Sequence, residues 1–297
     1  MMTVLGIDIG GSSIKAGLVN TQGVISEKKT ISIQELRNGN MVNNILDWID
    51  TIMADNQPKA VGIGVPGLLS KDKRTILEVT NLPEIEGVRF VNQLYSKYPD
   101  IKFYFSNDAN AAALGTYKFC PQVSTDCFGY ITIGTGIGSA VIINGKLYEG
   151  GNGNGPELGM ISLHNGKTID DTAAKNGLID ICKKLYPAYQ GNTIVNPDTL
   201  TAESLFRAAN QNDPLALKTF ESLGTNIAEA LAIFIMLFDV TTIYIGGGIS
   251  PSFKFLEKPI KEKLKSSLTN YYLENLVIEE ASLGNDSGIL GAAALCF

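Results

Sequence analysis

The chain has 297 residues, 44% hydrophobic and 18% charged, with a formal net charge of −6. At roughly 150 residues per domain this points to about two domains with apolar material for two cores, and the acidic balance excludes a basic nucleic-acid-binding face. One histidine (His164) and four widely spaced cysteines (Cys120, Cys127, Cys182, Cys296) exclude a His-rich zinc centre and a disulfide framework, which fits a reducing, cytoplasmic setting.

No basic segment precedes the apolar residues that follow Met1-Met2-Thr3, so no signal peptide is expected. Residues 3–9, 15–20 and 24–31 read as strands, with Thr21-Gln22-Gly23 as a turn. Val42, Ile45, Leu46, Ile49, Ile52 and Met53 recur at helical spacing and predict an amphipathic helix over roughly 35–54. Residues 60–65 read as a strand stopped by Pro66-Gly67, 90–98 as a helix, and 101–106 as a strand. The Ala-rich stretch 108–119 is helical, with Ser106, Asn107 and Asp108 as cap candidates. Strands 128–133 and 139–144 flank Gly134-Thr135-Gly136-Ile137-Gly138. Helices follow near 171–186, 201–211 and 214–238, the last with Pro214 in its first turn. A strand at 241–245, a helix at about 254–270, a strand at 276–280 and a helix at 287–296 complete an α/β protein. The longest apolar run, 230–238, is too short to span a bilayer and reads as a buried helix leading into a buried strand, so no membrane partner is expected.

An internal repeat supports this organisation. At an offset of 124 residues, Ile7, Ile9, Gly10, Ala16 and Asn20 match Ile131, Ile133, Gly134, Ala140 and Asn144. Both copies read strand, glycine turn, strand, Asn-containing turn, which favours duplication over coincidence.

The glycine turns carry the first functional signal. Gly10-Gly11-Ser12-Ser13 lets backbone N–H groups face a ligand, with two hydroxyls beside them. The turn 134–138 has the same character, and Gly246-Gly247-Gly248-Ile249-Ser250 follows a third strand. One such turn alone reads equally as a tight β-turn; two matched turns and a third glycine cluster favour a phosphate cradle. A dinucleotide fingerprint fails because a strand, not a helix, follows the glycines, and no GxxxxGK[ST] is present. Asp8 stands just before the first turn. A carboxylate beside phosphates needs a cation, and Mg²⁺ held through water is the natural one; the alternative is a turn-stabilising side chain.

The second signal is a pair of acids among amides and glycines. Asn107, Asp108 and Asn110 crowd a strand-to-helix junction that continues in small residues. An isolated Asp there would be an ordinary N-cap. Glu157 is a lone charge in Gly150-Gly151-Asn152-Gly153-Asn154-Gly155-Pro156-Glu157, where a solvated loop acid is the plain alternative. Carboxylates and amides together suit a polyol, each oxygen accepting from one hydroxyl.

With these residues in place, the chain resembles the ROK family, which includes bacterial sugar kinases and sugar-responsive repressors. The resemblance rests, in order and spacing, on Gly6-Ile7-Asp8-Ile9-Gly10-Gly11-Ser12, Gly62-Ile63-Gly64-Val65-Pro66-Gly67, Asn81-Leu82-Pro83, Asn107-Asp108-Ala109-Asn110, Gly134-Thr135-Gly136-Ile137-Gly138, Glu157-Leu158-Gly159 and Gly246-Gly247-Gly248. It implies two actin-like (ribonuclease H-like) α/β domains with mixed sheets flanking a cleft: 1–117, completed by the terminal helix 286–297, and 118–285. It implies ATP and Mg²⁺ on the glycine turns (Asp8, Gly10, Gly11, Ser12, Ser13, Lys15, Gly134, Thr135, Gly136, Gly138), with adenosine near Gly246, Gly247 and Gly248. A sugar would meet Gly67, Asn81, Asn107, Asp108 and Glu157, with Asp108 as the base. The implied activity is transfer of the ATP γ-phosphate to the 6-hydroxyl of a hexose, glucose first. Alternatives are another hexose or N-acyl hexosamine, or a non-catalytic sugar-binding regulator; a homodimer is also implied.

The chain departs from the family pattern in three places. Ser12-Ser13 stands where many members have Thr-Lys, with Lys15 two residues on. Met160 stands where many have the His after Glu-x-Gly, and 161–169 holds no cysteine, so no structural zinc is expected and His164 reads as a loop residue. The family's sugar-contacting Glu after the zinc motif falls on Asp170, a shorter acid.

Overall fold

The computed structural model describes residues 3–79 and 82–297. In chain order, strands β1 (Thr3–Ile9), β2 (Ser13–Asn20) and β3 (Ile25–Ser32) precede α1 (Ile33–Leu36) and α2 (Met41–Asn56). Next come β4 (Ala60–Val65), the small hairpin β5 (Leu68–Leu69) and β6 (Ile76–Glu78), α3 (Phe90–Lys97), β7 (Lys102–Asn107) and α4 (Asp108–Phe119). Then follow β8 (Phe128–Ile133), β9 (Ile137–Ile143), β10 (Lys146–Leu147), α5 (Ile169–Ala173), α6 (Lys175–Leu185), α7 (Ala202–Asn210) and α8 (Pro214–Phe238). The chain finishes with β11 (Thr242–Gly246), α9 (Phe253–Ser267), α10 (Asn270–Leu273), β12 (Val277–Glu280) and α11 (Ser287–Ala294).

Two five-stranded mixed sheets carry this α/β fold, in the orders β3-β2-β1-β4-β7 and β10-β9-β8-β11-β12. In the first, β1 is antiparallel to β2 and parallel to β4, and β4 is parallel to β7. In the second, β8, β11 and β12 are parallel and β9–β10 is a hairpin. One topology therefore occurs twice, with β1 and β8, the two members of the sequence repeat, as the central strands.

Two compact units result. One comprises Met1–Asp126, Ala140–Pro156 and Ser282–Phe297; the other comprises Cys127–Ser139 and Glu157–Ala281. In the first unit, strand alternation sorts side chains to two faces. Leu5, Ile7 and Ile9 of β1 and Val61, Ile63 and Val65 of β4 join Ile45, Ile49 and Ile52 of α2 and Phe90 and Leu94 of α3 in one core. Val4 and Ala60 face the other way, onto Ile289, Leu290 and Ala293 of α11. Here α11 lies almost on the sheet: a Cβ on Gly6 would stand 2.2 Å from the Ile289 carbonyl oxygen, and one on Gly62 only 1.8 Å from that of Ala292. Gly115 and Gly291 likewise let α4 and α11 touch backbone to backbone. The small residues of 108–119 are thus used in packing against α11.

The helix expected over 35–54 is two helices. Gly39 takes a φ of +93°, and the Asn40 side chain accepts from the Asn43 N–H to start α2 afresh. The expected 171–186 helix is also divided, at Ala174, into α5 and α6. The short β5–β6 hairpin and β10 escape periodicity because two or three residues define no pattern.

In the second unit α8 is the core helix, buried from Leu215 to Ile235 and packed on α6 and α9. Its 25 residues are long and apolar enough to cross a bilayer by length and composition. More than half of its most apolar window is buried within the protein, which is the pattern of a core helix.

Candidate functional site

In the first unit, the turn between β1 and β2 is closed by the Gly10 N–H donating to the Ser13 carbonyl at 3.0 Å. Gly11 and Ser12 are exposed at its tip and Ser13 is half-buried. The Ser12 carbonyl accepts from the Ile33 N–H at 3.0 Å, which ties the turn to α1. Asp8 precedes the turn and pairs across the sheet with Lys15 on β2 and Gly64 on β4; Gly64 in turn pairs with Ser106 on β7. Lys15, Asp8 and Ser106 therefore share one face of the sheet in one row, with a glycine between the last two. Burial pushes the Asp8 carboxyl above its ordinary range, and the Lys15 charge opposes this.

Asp108 opens α4 at the end of β7. Asn107 is the cap: its Oδ1 accepts from the N–H of Ala109 at 2.9 Å and of Asn110 at 3.3 Å, while its Nδ2 donates to the Gly67 carbonyl at 3.0 Å. Because Asn107 fills the capping role, Asp108 is left for another. One Asp108 oxygen accepts from the Ala109 N–H at 2.8 Å. Burial, with the charge of Asp8 second, nevertheless raises its carboxyl to about 6. Gly67 has a φ of +82°, and a Cβ there would stand 2.0 Å from the Glu78 carbonyl oxygen, so only glycine fits. Asp8, Gly67, Asn107 and Asp108 thus come together with the first glycine turn. Asn81 lies outside the described residues.

In the second unit, the turn 134–138 joins β8 to β9. The Gly134 N–H donates to the Gly136 carbonyl at 2.9 Å, the Gly134 carbonyl accepts from the Lys175 N–H at 3.0 Å, and Thr135 is exposed at the tip. Gly247 takes a φ of +88° and packs on the end of β8, where a Cβ would meet the Ile133 carbonyl and Thr132 Oγ1, both at 2.5 Å. The Ile249 N–H donates to that same Ile133 carbonyl at 3.0 Å. Gly246 is held against the Tyr130 hydroxyl, and Gly248 is exposed with open space around it. The second and third glycine clusters therefore meet at the end of β8. Glu157 and Asp170 belong to this unit as well. Asp170 Oδ1 accepts from the Ile137 N–H at 2.6 Å, and burial raises its carboxyl while that bond opposes the shift. The Leu158 N–H donates to Ser139 Oγ at 3.0 Å, which fixes the turn after Glu157 to β9.

The segment 161–169 is a hairpin held by its own backbone: Ser162 bridges Thr168, and the Leu163 N–H donates to the Lys167 carbonyl at 2.7 Å. His164 is exposed near its tip.

Two residues of this region have contacts that the sequence reading did not assign to them. The Ser106 hydroxyl is buried with no hydrogen-bond partner among the described residues, in register with Asp8 and Gly64. Only the strand register exposes that relation. Asn154 bonds both backbone groups of Leu69, each at 2.8 Å, and its own carbonyl accepts from Asn110 Nδ2 at 2.8 Å. An amide inside a glycine-rich run was the available signal.

Comparison with known proteins gives the family and the fold. The model of the ROK family matches residues 4–297. The glucokinase of Thermotoga maritima is 29% identical over 308 aligned residues, covering 99% of this chain and 97% of the relative. A crystal structure of a Cytophaga hutchinsonii protein superposes with a TM-score of 0.89 at 34% identity, covering 99% of each chain. A ROK family glucokinase from Streptomyces griseus, solved in complex with glucose and AMPPNP, gives 0.85 at 26% identity, covering 99% of this chain and 98% of the other. These neighbours share the actin-like fold with its duplicated mixed sheet, and the chain belongs to the ROK family.

Proposed function

We propose that this protein is a cytoplasmic ATP-dependent hexose kinase that phosphorylates the 6-hydroxyl of a hexose, with glucose as the first acceptor to test. The observation that carries the reading is the state of Asp108. It is a carboxylate relieved of capping by Asn107, beside a second carboxylate, and raised to about 6. A general base is most useful with a pKa just below working pH, where it is ionised yet still basic.

Asp108 Oδ1 is held by the Ala109 N–H, so Oδ2 is the atom that receives the proton of the attacking hydroxyl. Asn107 and Gly67 fix the backbone beside it, and by the family resemblance Glu157 would supply a further acceptor for sugar hydroxyls. Phosphoryl transfer through a loose transition state depends on alignment and charge neutralisation more than on covalent assistance. The N–H groups of Gly11, Ser12 and Thr135, at the exposed tips of the two turns, would be the donors for developing phosphate charge, and Gly246, Gly247 and Gly248 would line the adenosine side. The Mg²⁺ of the nucleotide fits the residues present: Asp8 is one carboxylate in a row with the single cation Lys15, and Mg²⁺ is commonly bound through one or two carboxylates, water and phosphate. When bound, Mg²⁺ would offset negative charge on the transferring group. Lys15, opposite Asp8, restrains that carboxylate.

The test is a coupled phosphorylation assay with ATP·Mg²⁺, and separately with polyphosphate, over glucose, mannose, fructose, allose, N-acetylglucosamine and N-acetylmannosamine. Saturable turnover on one hexose that collapses in Asp108→Asn supports the proposal. Turnover on none, with a sugar still bound, would replace it by a regulator.

A further inference from the structure

Asp170 sits where three backbone segments meet. Its Oδ1 accepts from the Ile137 N–H at 2.6 Å, inside the second glycine turn. A Cβ on Gly136 would lie 2.9 Å from Asp170 Oδ2, and one on Gly159 would lie 2.1 Å from Oδ1 and 2.4 Å from the Ile137 carbonyl oxygen. Two glycines from two separate motifs therefore make room for one carboxylate.

The carboxylate is itself well anchored. Thr168 caps α5 through a reciprocal pair of bonds with Asp171, and the Ile169 N–H donates to the Ile161 carbonyl at 3.1 Å. At the far end of α5, the Lys175 N–H donates to the Gly134 carbonyl at 3.0 Å. The start of α5 and the start of α6 thus hold the same turn, one through the Asp170 side chain and one through the Lys175 backbone. A carboxylate serving only as a sugar ligand would leave its oxygens to hydroxyls, whereas one oxygen here is committed to the protein.

We propose that Asp170 is a positioning residue: it locks the 134–138 turn into the shape that offers N–H groups to phosphate, and fastens it to the turn that follows Glu157. The consequence for ligands rests on the kinase reading above; the clamp itself does not. Deleting the carboxylate should loosen the turn and weaken nucleotide binding, while sugar affinity changes little. Asn retains an acceptor oxygen of the same reach and should retain the clamp.

The experiment compares wild type, Asp170→Ala and Asp170→Asn by hydrogen exchange of the ligand-free protein, and by calorimetric titration of glucose and of Mg²⁺–AMPPNP separately. Expected for Asp170→Ala are exchange at 134–138 and AMPPNP Kd each raised about tenfold or more, with glucose Kd within about threefold; Asp170→Asn should stay within about threefold throughout. Unchanged exchange in Asp170→Ala overturns the proposal. So does a loss of glucose affinity in both variants with AMPPNP affinity intact, which is the signature of a direct sugar ligand. If the wild type binds neither ligand, the kinase reading fails, and the exchange comparison alone decides the clamp.

Discussion

Asp8 and Asp108 are linked across a glycine. Asp8 ends β1, Asp108 follows β7, and on the intervening β4 the residue level with Asp8 is Gly64. With no side chain between them, the charge of Asp8 adds to burial in raising Asp108 to about 6. In the nucleotide-free and Mg²⁺-free protein, the Asp108 carboxyl should therefore titrate near that value, as read by carbon-detected NMR. Asp8→Asn should move the midpoint down toward the ordinary aspartate range, though not all the way, because burial is the larger cause. An unmoved midpoint would mean that the two carboxylates do not sense each other. In wild type, kcat/KM should fall about tenfold per pH unit on the acid side of that midpoint.

Asp108→Asn should separate activity from stability. Loss of the base is expected to lower kcat by about 10²–10⁴ while sugar still binds. Stability should change in the opposite direction. A carboxyl whose folded pKa lies above its unfolded value contributes stability that is full below the unfolded pKa and is lost as pH rises through the folded one. The ionised Asp108 therefore costs stability at neutral pH, and the amide removes that cost. Denaturant unfolding at pH 7.5 should show the variant more stable by on the order of 1–3 kcal/mol, with the difference vanishing below about pH 3. A variant less stable at pH 7.5 would contradict the raised carboxyl.

Gly288, near the start of α11, touches the same carboxylate from another direction. A Cβ there would lie 2.1 Å from Asp8 Oδ2 and 2.3 Å from its Cγ. In Gly288→Ala, Asp8 must rotate or α11 must shift. Because α11 is pinned to Gly6 and Gly62 by backbone contact, the side chain should yield first. We expect kcat/KM to fall by about 10–100-fold while stability changes by less than about 1 kcal/mol. A loss of stability as large as the loss of activity would mean that the helix had moved instead.

Much of this was legible in the residues. The repeat around Ile7 and Ile131 announced two copies of one hairpin, and the structure gives each the centre of a sheet of the same order. Asp8, Asn107, Asp108 and Gly67 come together as a group, because motif order tracks the ends of β1, β4 and β7. What stayed hidden depends on distance in the chain. The small residues after Asp108 pack on α11, which begins at Ser287, so nothing local records their partner. Ser106 read as one cap candidate among three, and only register shows its hydroxyl in line with Asp8. The break between α1 and α2 was written in Asn38-Gly39-Asn40, but the apolar period of the later residues masked it.

Asn154 offers the last test, at a junction that an uncharged amide holds through backbone groups. Its side chain bonds the N–H and the carbonyl of buried Leu69 as a neighbouring strand would, and its carbonyl receives Asn110 Nδ2. Lys73 reinforces the same junction through the Gly153 carbonyl and Glu149. Asn154→Ala leaves both Leu69 groups without these partners, and the loss should cost about 1–3 kcal/mol in denaturant unfolding. Asn154→Asp should fare no better. It keeps an acceptor for the Leu69 N–H but turns a second oxygen toward the Leu69 carbonyl, where a donor is required. Asn110 lies two residues beyond Asp108, and Leu69 two beyond Gly67. The kinetic effect should therefore fall on the sugar, with its KM raised more than that of ATP. Full stability in Asn154→Asp would show that the pairing with Leu69 is incidental, since only an amide can make both bonds at once.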